Sequence, residues 1–315
     1  MGNFHSYISH NFPPKPTYSI DQIPDLTGQV IIVTGSNAGI GKLVVEQLLK
    51  NNAKVYMAAR SQERAEAAIK ELKEKTGKEA IFLKLDLSNL TTIRSTVEDF
   101  LSKETQLHVL MNNAGVAGPP KNALTTQGYD LQFGTNTLGH FYFTTLLIPI
   151  LTSTAKTTPD HKVRVVHTSS WAYHYYPKMN YNSFKDGPAR SKMDGFALYA
   201  QSKTGNILFS NELAKRYGDQ GIVSISIHPG SVRSELQRTL PLGIKQLVQY
   251  VLFYPTELGA LTPLYAATAP ECADYNGLYI TAWARLDRSE PNPEASDPAE
   301  ARQLWEYMEE QVKDY

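Results

Sequence analysis

An α/β fold, with a doubly wound parallel sheet of about seven strands and helices on both faces, is what this sequence predicts. Three observations carry that reading. From Leu26 onward, short apolar runs alternate with segments of helical period. The runs are apolar throughout rather than at every second residue, as in strands buried on both faces of a parallel sheet. The first run, Val30-Ile-Ile-Val-Thr34, leads into glycines at 35, 39 and 41, and Leu43, Val44, Leu48 and Leu49 follow at helical spacing. Right-handed crossovers between parallel strands then wind helices onto both faces, Rossmann-type, and leave a ligand crevice beyond the carboxyl ends of the strands.

The strands are expected at residues 30–34, 54–59, 80–85, 107–112, 163–168, 222–228 and 277–281. The helices are expected near 40–51, 62–75, 90–104, 135–153, 197–217 and 256–268. The helix over 62–75 places Ala65, Ala68, Ile69 and Leu72 on one face and stops at Gly77. Residues 1–25, with Pro13, Pro14, Pro16 and Pro24, read as an irregular arm, and 26–285 as one domain. Inside it, 231–255 interrupts the alternation with Leu236, Leu240, Leu242, Ile244 and Leu247. That stretch reads as a lid over the crevice or as another core helix. Residues 286–315 read as a linker and a last helix, with Asp297 as N-cap, Pro298 at N1 and Glu300 at N3. Leu304, Met308 and Val312 give that helix one apolar face.

Composition excludes several classes. With 31 basic and 31 acidic residues there is no electrostatic case for nucleic acid. The lone Cys272 rules out an intrachain disulfide framework and fits a reducing, cytoplasmic compartment. The eight histidines show no metal-ligand spacing. The longest apolar run, Leu138 to Leu151, is too short for a transmembrane segment and reads as a buried helix. Met1-Gly2-Asn3-Phe4-His5-Ser6 matches the N-myristoylation pattern at Gly2, although one acyl chain gives only marginal membrane binding.

The turn of Gly35, Ser36, Asn37, Gly39, Ile40 and Gly41 joins a strand to a helix N-terminus. Unpaired N–H groups and the positive end of the helix dipole favour a phosphate there, and glycine lets a pyrophosphate approach the backbone. A dinucleotide site also needs a residue after the second strand to read the adenosine ribose. An acid suits the 2′-hydroxyl of NAD; a guanidinium grips the 2′-phosphate of NADP. Arg60 stands there with no acid beside it, which points to NADP(H). The third strand ends in Asp86-Leu87, near the expected adenine. The fourth ends in Asn112-Asn113-Ala114-Gly115, a sharp turn whose amides can hold neighbouring loops.

The fifth strand delivers Ser169 and Ser170 to the crevice. Two Tyr-x3-Lys pairs follow, Tyr181 with Lys185 and Tyr199 with Lys203. Such a pair acts together only on a helix, where i and i+4 share a face. Tyr181 lies among turn formers with Gly187-Pro188 close behind, whereas Tyr199 opens a segment with Ile207, Leu208 and Leu213 at helical spacing, so Tyr199 is the expected partner. Hydride addition to a carbonyl leaves an alkoxide that needs a proton. A free phenol titrates near 10, and the Lys203 ammonium would favour tyrosinate and lower that value. Ser170 can hydrogen-bond the substrate oxygen and fix its position.

In this order, Thr34-Gly35-x3-Gly39-Ile40-Gly41, Asn112-Asn113-Ala114-Gly115, Ser170, Tyr199-x3-Lys203 and Pro229-Gly230 resemble the short-chain dehydrogenase/reductase family, over about Leu26 to Ala284. The resemblance implies a catalytic group of Asn136, Ser170, Tyr199 and Lys203, with Asn136 holding a water beside the lysine as a proton relay. It also implies that the backbone after Pro229-Gly230, near Val232, holds the nicotinamide carboxamide. Stretches such as Gly134-Thr-Asn-Thr-Leu-Gly-His-Phe-Tyr-Phe143 are similar to the retinol-dehydrogenase-like branch, which acts on lipophilic carbonyls and alcohols, often with NADP. Many members of that branch carry an N-terminal membrane helix, and this sequence shows none. The interval from Ser170 to Tyr199 is long for the wider family. Its Trp171, Tyr173, His174, Tyr175 and Tyr176 read as a wall of the substrate pocket or as plain packing.

The expected function is therefore an NADP(H)-dependent carbonyl reductase or alcohol dehydrogenase for a small apolar substrate. The alternative is an NADP(H)-binding sensor without turnover; a sugar epimerase or dehydratase is a third reading. The helices over 135–153 and 197–217 could pair across a two-fold axis in a homodimer, or lie under the C-terminal helix.

Overall fold

A computed structural model of the chain describes residues 13–232, 254–286, 291 and 293–315. Among these, eight strands form one sheet in the order β3-β2-β1-β4-β5-β6-β7-β8. They are β1 (Val30–Thr34), β2 (Lys54–Ala59), β3 (Ile81–Lys84), β4 (Val109–Asn112), β5 (Val163–Thr168), β6 (Ile222–Ile227), β7 (Tyr279–Thr281) and β8 (Arg285–Leu286). The first seven are parallel, as expected; β8 runs antiparallel to β7 and raises the count by one. Two residues are too few to leave a periodic signal in the sequence. Strand order reverses between β1 and β4, so the crevice opens beyond their carboxyl ends.

The helices are α1 (Gly39–Lys50), α2 (Gln62–Thr76), α3 (Leu90–Leu101), α4 (Gly139–Ala155), α5 (Gly195–Tyr217), α6 (Thr256–Thr268) and α7 (Pro298–Val312). Their ends follow local chemistry. Ser61 Oγ accepts from the Arg64 N–H to open α2, and Gly77 closes it at φ +70°. Asp297 opens α7 by accepting from the Ala299 N–H at 2.9 Å. Alternate residues of one strand feed opposite cores. Ile31 and Val33 pack with Val44, Leu72 and Leu264 of α1, α2 and α6. Val30 and Ile32 pack with Phe100, Phe141, Leu208 and Trp305 of α3, α4, α5 and α7. This is why the strands are apolar throughout.

The arm is irregular over residues 13–25 apart from a turn at Ile20–Gln22, but it is not loose. Tyr18 and Ile23 are buried, and the Tyr18 ring meets Tyr265 at 5.0 Å. The last helix covers part of α4 and α5: Trp305 meets Phe141 at 4.9 Å and Phe209 at 5.8 Å. The Gly2 pattern, the stretch 233–253 of the expected lid and residues 287–290 and 292 of the linker lie outside the described residues. Among the described residues, no helix is long and apolar enough to cross a membrane, and no group of His, Cys, Asp and Glu could hold a metal ion.

Candidate active site

The site begins where β1 runs into α1. Gly35 donates its N–H to the Ala58 carbonyl at 2.8 Å and takes φ +64°, the left-handed region that suits glycine. A Cβ on Gly35 would stand 2.7 Å from Ala114 Cα, and one on Gly41 would stand 2.6 Å from Asn113 Nδ2. The two turns are therefore packed backbone to backbone. Asn113 Nδ2 also donates to the Thr34 carbonyl at 2.8 Å. At Gly39 a Cβ would meet nothing within 4 Å, and Ala38 before it offers α1 no side-chain cap. Open space over uncapped N–H groups at the positive end of a twelve-residue helix fits a pyrophosphate.

The other sequence-predicted binding residues surround this turn. Ser36 is buried and donates to the Val33 carbonyl at 2.7 Å, so its hydroxyl shapes the turn. Asn37, in the turn, and Ile40, the second residue of α1, are half-buried. Arg60 follows β2 and is exposed. The Asp86 carboxylate accepts from Ser88 N at 3.0 Å and from Ser88 Oγ at 2.6 Å, a local turn after β3; Leu87 beside it is buried. Gly230, at φ +86°, has Trp283 behind it where a Cβ would clash. Pro229 precedes it, and Val232 is buried and approaches Gly259 together with Ile40.

The catalytic candidates converge beyond β4 and β5. Asp194 caps α5 by accepting from the Ala197 N–H at 2.7 Å, which sets Tyr199 and Lys203 one turn apart near its start. Lys203 is buried, donates to the Thr168 carbonyl at 2.9 Å and lies 5.7 Å from the centre of the Tyr199 ring. Ser169 Oγ donates to the Lys203 carbonyl at 2.7 Å, a second tie between β5 and α5. Tyr199 keeps partial access to the crevice and shares a side-chain hydrogen bond with Ser170. Burial pushes the phenol up to about 12, and the bond with Ser170 offsets only part of this. Burial pulls Lys203 down to about 8. In the chain alone, then, the expected lowering of Tyr199 by the ammonium is not seen: burial sets the direction and only Ser170 opposes it. The phenol is held protonated at neutral pH, the form a proton donor needs.

Asn136 is fully buried. Its Nδ2 donates to the Val116 carbonyl at 3.0 Å and to Ser202 Oγ at 2.9 Å, and its Oδ1 accepts from Val116 N at 2.8 Å. It sits in a π turn, Gly134–Leu138, that runs into α4. Apolar spacing cannot distinguish that widened turn from an ordinary helix. A Cβ on Gly115 would lie 3.3 Å from Asn136 Oδ1 and 3.5 Å from Lys203 Nζ, so this glycine brings the backbone beside the lysine. The Thr168 carbonyl and Ser202 carry no sequence signal of their own; only the packing of α5 on β5 and the π turn brings them in.

Tyr181 is placed elsewhere. It lies in a short turn, Tyr181–Ser183, and donates to Glu300 Oε1 of α7 at 3.0 Å; Lys185 stands 4.8 Å over the Tyr129 ring instead. The aromatic loop divides. Tyr173 is buried against Tyr279 at 5.6 Å and is packing. Tyr175, between Trp171 and Phe196 at 5.2 Å from each, is 55% exposed, and Phe196 is 48% exposed. This ladder starts next to Ser170 and ends three residues before Tyr199.

A family model described as short chain dehydrogenase matches residues 29–187. A short-chain dehydrogenase/reductase of Armillaria gallica is 54% identical, covering 100% of both chains. An uncharacterized oxidoreductase of Schizosaccharomyces pombe is 40% identical over 95% of this chain and 89% of its own. Among solved structures, a protein of Mycobacterium paratuberculosis superposes with a TM-score of 0.71 at 28% identity, covering 94% of this chain and 97% of that one. The NADP complex of RhlG from Pseudomonas aeruginosa shares the fold, with a TM-score of 0.65 at 23% identity over 82% of this chain and 95% of its own. A sheet reversing beside a glycine turn, with a Ser-Tyr-Lys cluster at its edge, defines a dinucleotide-dependent oxidoreductase class. The chain belongs to the short-chain dehydrogenase/reductase family and is an oxidoreductase of that family.

Proposed function

We propose that the chain transfers a hydride between NADP(H) and a lipophilic ketone, aldehyde or secondary alcohol, in the manner of the retinol-dehydrogenase-like branch. The observation that carries the reading is the cluster of Tyr199, hydrogen-bonded to Ser170, with the Lys203 ammonium held beside it by the Thr168 carbonyl. The glycine turn, Asn113, Gly115, Pro229, Gly230 and Val232 would hold the dinucleotide, and Arg60 is free in space to meet a 2′-phosphate. RhlG in its NADP complex shares this fold and supports the choice of cofactor. When bound, the nicotinamide ring supplies or accepts the hydride.

The chain's own residues do the rest. Tyr199, protonated at neutral pH, gives its proton to the nascent alkoxide oxygen in the reducing direction. Ser170 hydrogen-bonds that oxygen and fixes its distance from the phenol. Lys203 holds positive charge beside the phenolate left behind and favours its formation. Asn136 braces Val116 and Ser202 around the lysine. The ladder of half-buried Trp171 with exposed Tyr175 and Phe196 supplies apolar surface for the substrate body. Tyr199→Phe should remove turnover while leaving the fold and NADPH binding intact, read by absorbance loss with a carbonyl panel and by cofactor titration. Undiminished turnover in that variant would sink the mechanism; tight NADPH binding with no turnover in the wild-type chain would favour a sensor.

A further inference from the structure

The buried imidazole of His140 plays no part in the mechanism above, yet it joins two parts of the site that the sheet leaves separate. The N–H groups of Asn113 and Ala114 both donate to Thr34 Oγ1, each at 2.9 Å. With both lone pairs engaged, the hydroxyl must use its single proton as a donor. Two acceptors lie in reach, the Met111 carbonyl at 3.3 Å and His140 Nε2 at 2.9 Å, and the shorter contact with the ring is the better bond. On the other edge of the ring, Nδ1 lies 3.0 Å from the Asn136 carbonyl, which can only accept. One assignment satisfies every atom: Nδ1 carries the proton, Nε2 carries none, and the ring is neutral. His140 is 1% exposed, and its burial, with the Lys203 ammonium of α5 nearby, holds it down at about 4. The other titratable group that bears on it, His167 of β5, is also a base.

We propose that His140 is a positioning residue whose Nδ1–H tautomer ties the Thr34 and Asn113-Ala114 turns to the Asn136 carbonyl and so orients the π turn beside Lys203. The inference rests on the reading of Lys203 as the charge beside the Tyr199 phenol, with Asn136 bracing the lysine's surroundings, but its first test does not depend on turnover. The full chain with 15N-labelled histidine should show one imidazole, identified by its loss in His140→Gln, that keeps the Nδ1–H tautomer from about pH 5 to about pH 9. An Nε2–H tautomer, or a ring titrating near its ordinary value, overturns the proposal. In kinetics, His140→Leu should lower kcat roughly ten- to hundredfold with carbonyl KM little changed, because it misplaces a group without removing substrate contacts. His140→Gln, whose amide offers both a donor and an acceptor, should recover to within about threefold of wild type. Equal losses in the two folded variants reduce His140 to packing and overturn the proposal. Absence of turnover in the wild-type chain overturns the oxidoreductase mechanism alone, and the tautomer is still decided by resonance.

Discussion

At Tyr199 and Lys203 one cause, burial, acts in opposite senses on an acid and a base, and the result is a protonated phenol beside an ammonium that is easily lost. On the proposed mechanism, the Lys203 value of about 8 sets an upper pH limit for reduction. In kcat/KM, which reports the free enzyme, carbonyl reduction should decline above about pH 8 as the ammonium deprotonates. Lys203→Arg, whose guanidinium stays charged, should lose that decline whatever its absolute rate; a limb unchanged in this variant would assign the titration to another group. On the proposed reading, Arg60 sets the cofactor choice by its place after β2. Charge-assisted bonds to a phosphate contribute about 1.5–3 kcal/mol. Arg60→Asp should accordingly cut kcat/KM for NADPH by roughly ten- to hundredfold and leave NADH the preferred cofactor. Both Tyr199 and Lys203 were legible because helical spacing and turn chemistry separate them from Tyr181 and Lys185. His140 and the Thr168 carbonyl were not, since their partners lie on other elements.

Elements are legible in proportion to length and periodicity. Strands β1 to β7 and helices α1 to α7 fall where apolar pattern, caps and glycine stops put them. The two-residue β8, the short helix Pro188–Lys192 and the π turn Gly134–Leu138 carry no such pattern. The apolar face of α7 was readable from Leu304, Met308 and Val312, but not what it covers, because the sequence left the helices over 135–153 and 197–217 free either to pair across a two-fold axis or to lie under the C-terminal helix. The structure puts Trp305 at its centre, 1% exposed, between Phe141 of α4 and Phe209 of α5. Trp305→Ala should cost about 3–5 kcal/mol, the loss for a large aromatic cut from a packed core. Urea unfolding with an unchanged m-value measures it. A loss below about 1 kcal/mol would mean that α7 docks only loosely and contributes little to the fold.

On the scale of the whole molecule, the site draws on the ends of β1, β2, β4, β5 and β6, so its geometry is only as secure as the sheet beneath it. Two buried histidines stand against that sheet, His167 in β5 and His140 in α4, and their protonation couples acidity to global stability. His140 is lowered to about 4 and His167 to about 3, both by burial, and His167 also bonds Ser224 Oγ at 3.2 Å. In the unfolded chain the same rings take protons near 6.5. Below that value the unfolded state binds more protons than the native one, so stability must fall with falling pH. The loss begins below about 6.5 and saturates only once the native rings protonate, at about 4 and about 3. Above neutrality both states are neutral at these positions and the contribution is flat. The urea midpoint should therefore drop steeply between pH 6.5 and pH 4, well before most carboxylates protonate. His167→Gln, which cannot take up a proton, should shallow that slope even if it lowers stability at pH 7. An equal slope in wild type and variant would show that this ring is protonated alike in both states and that the sheet, not His167, sets its acid sensitivity.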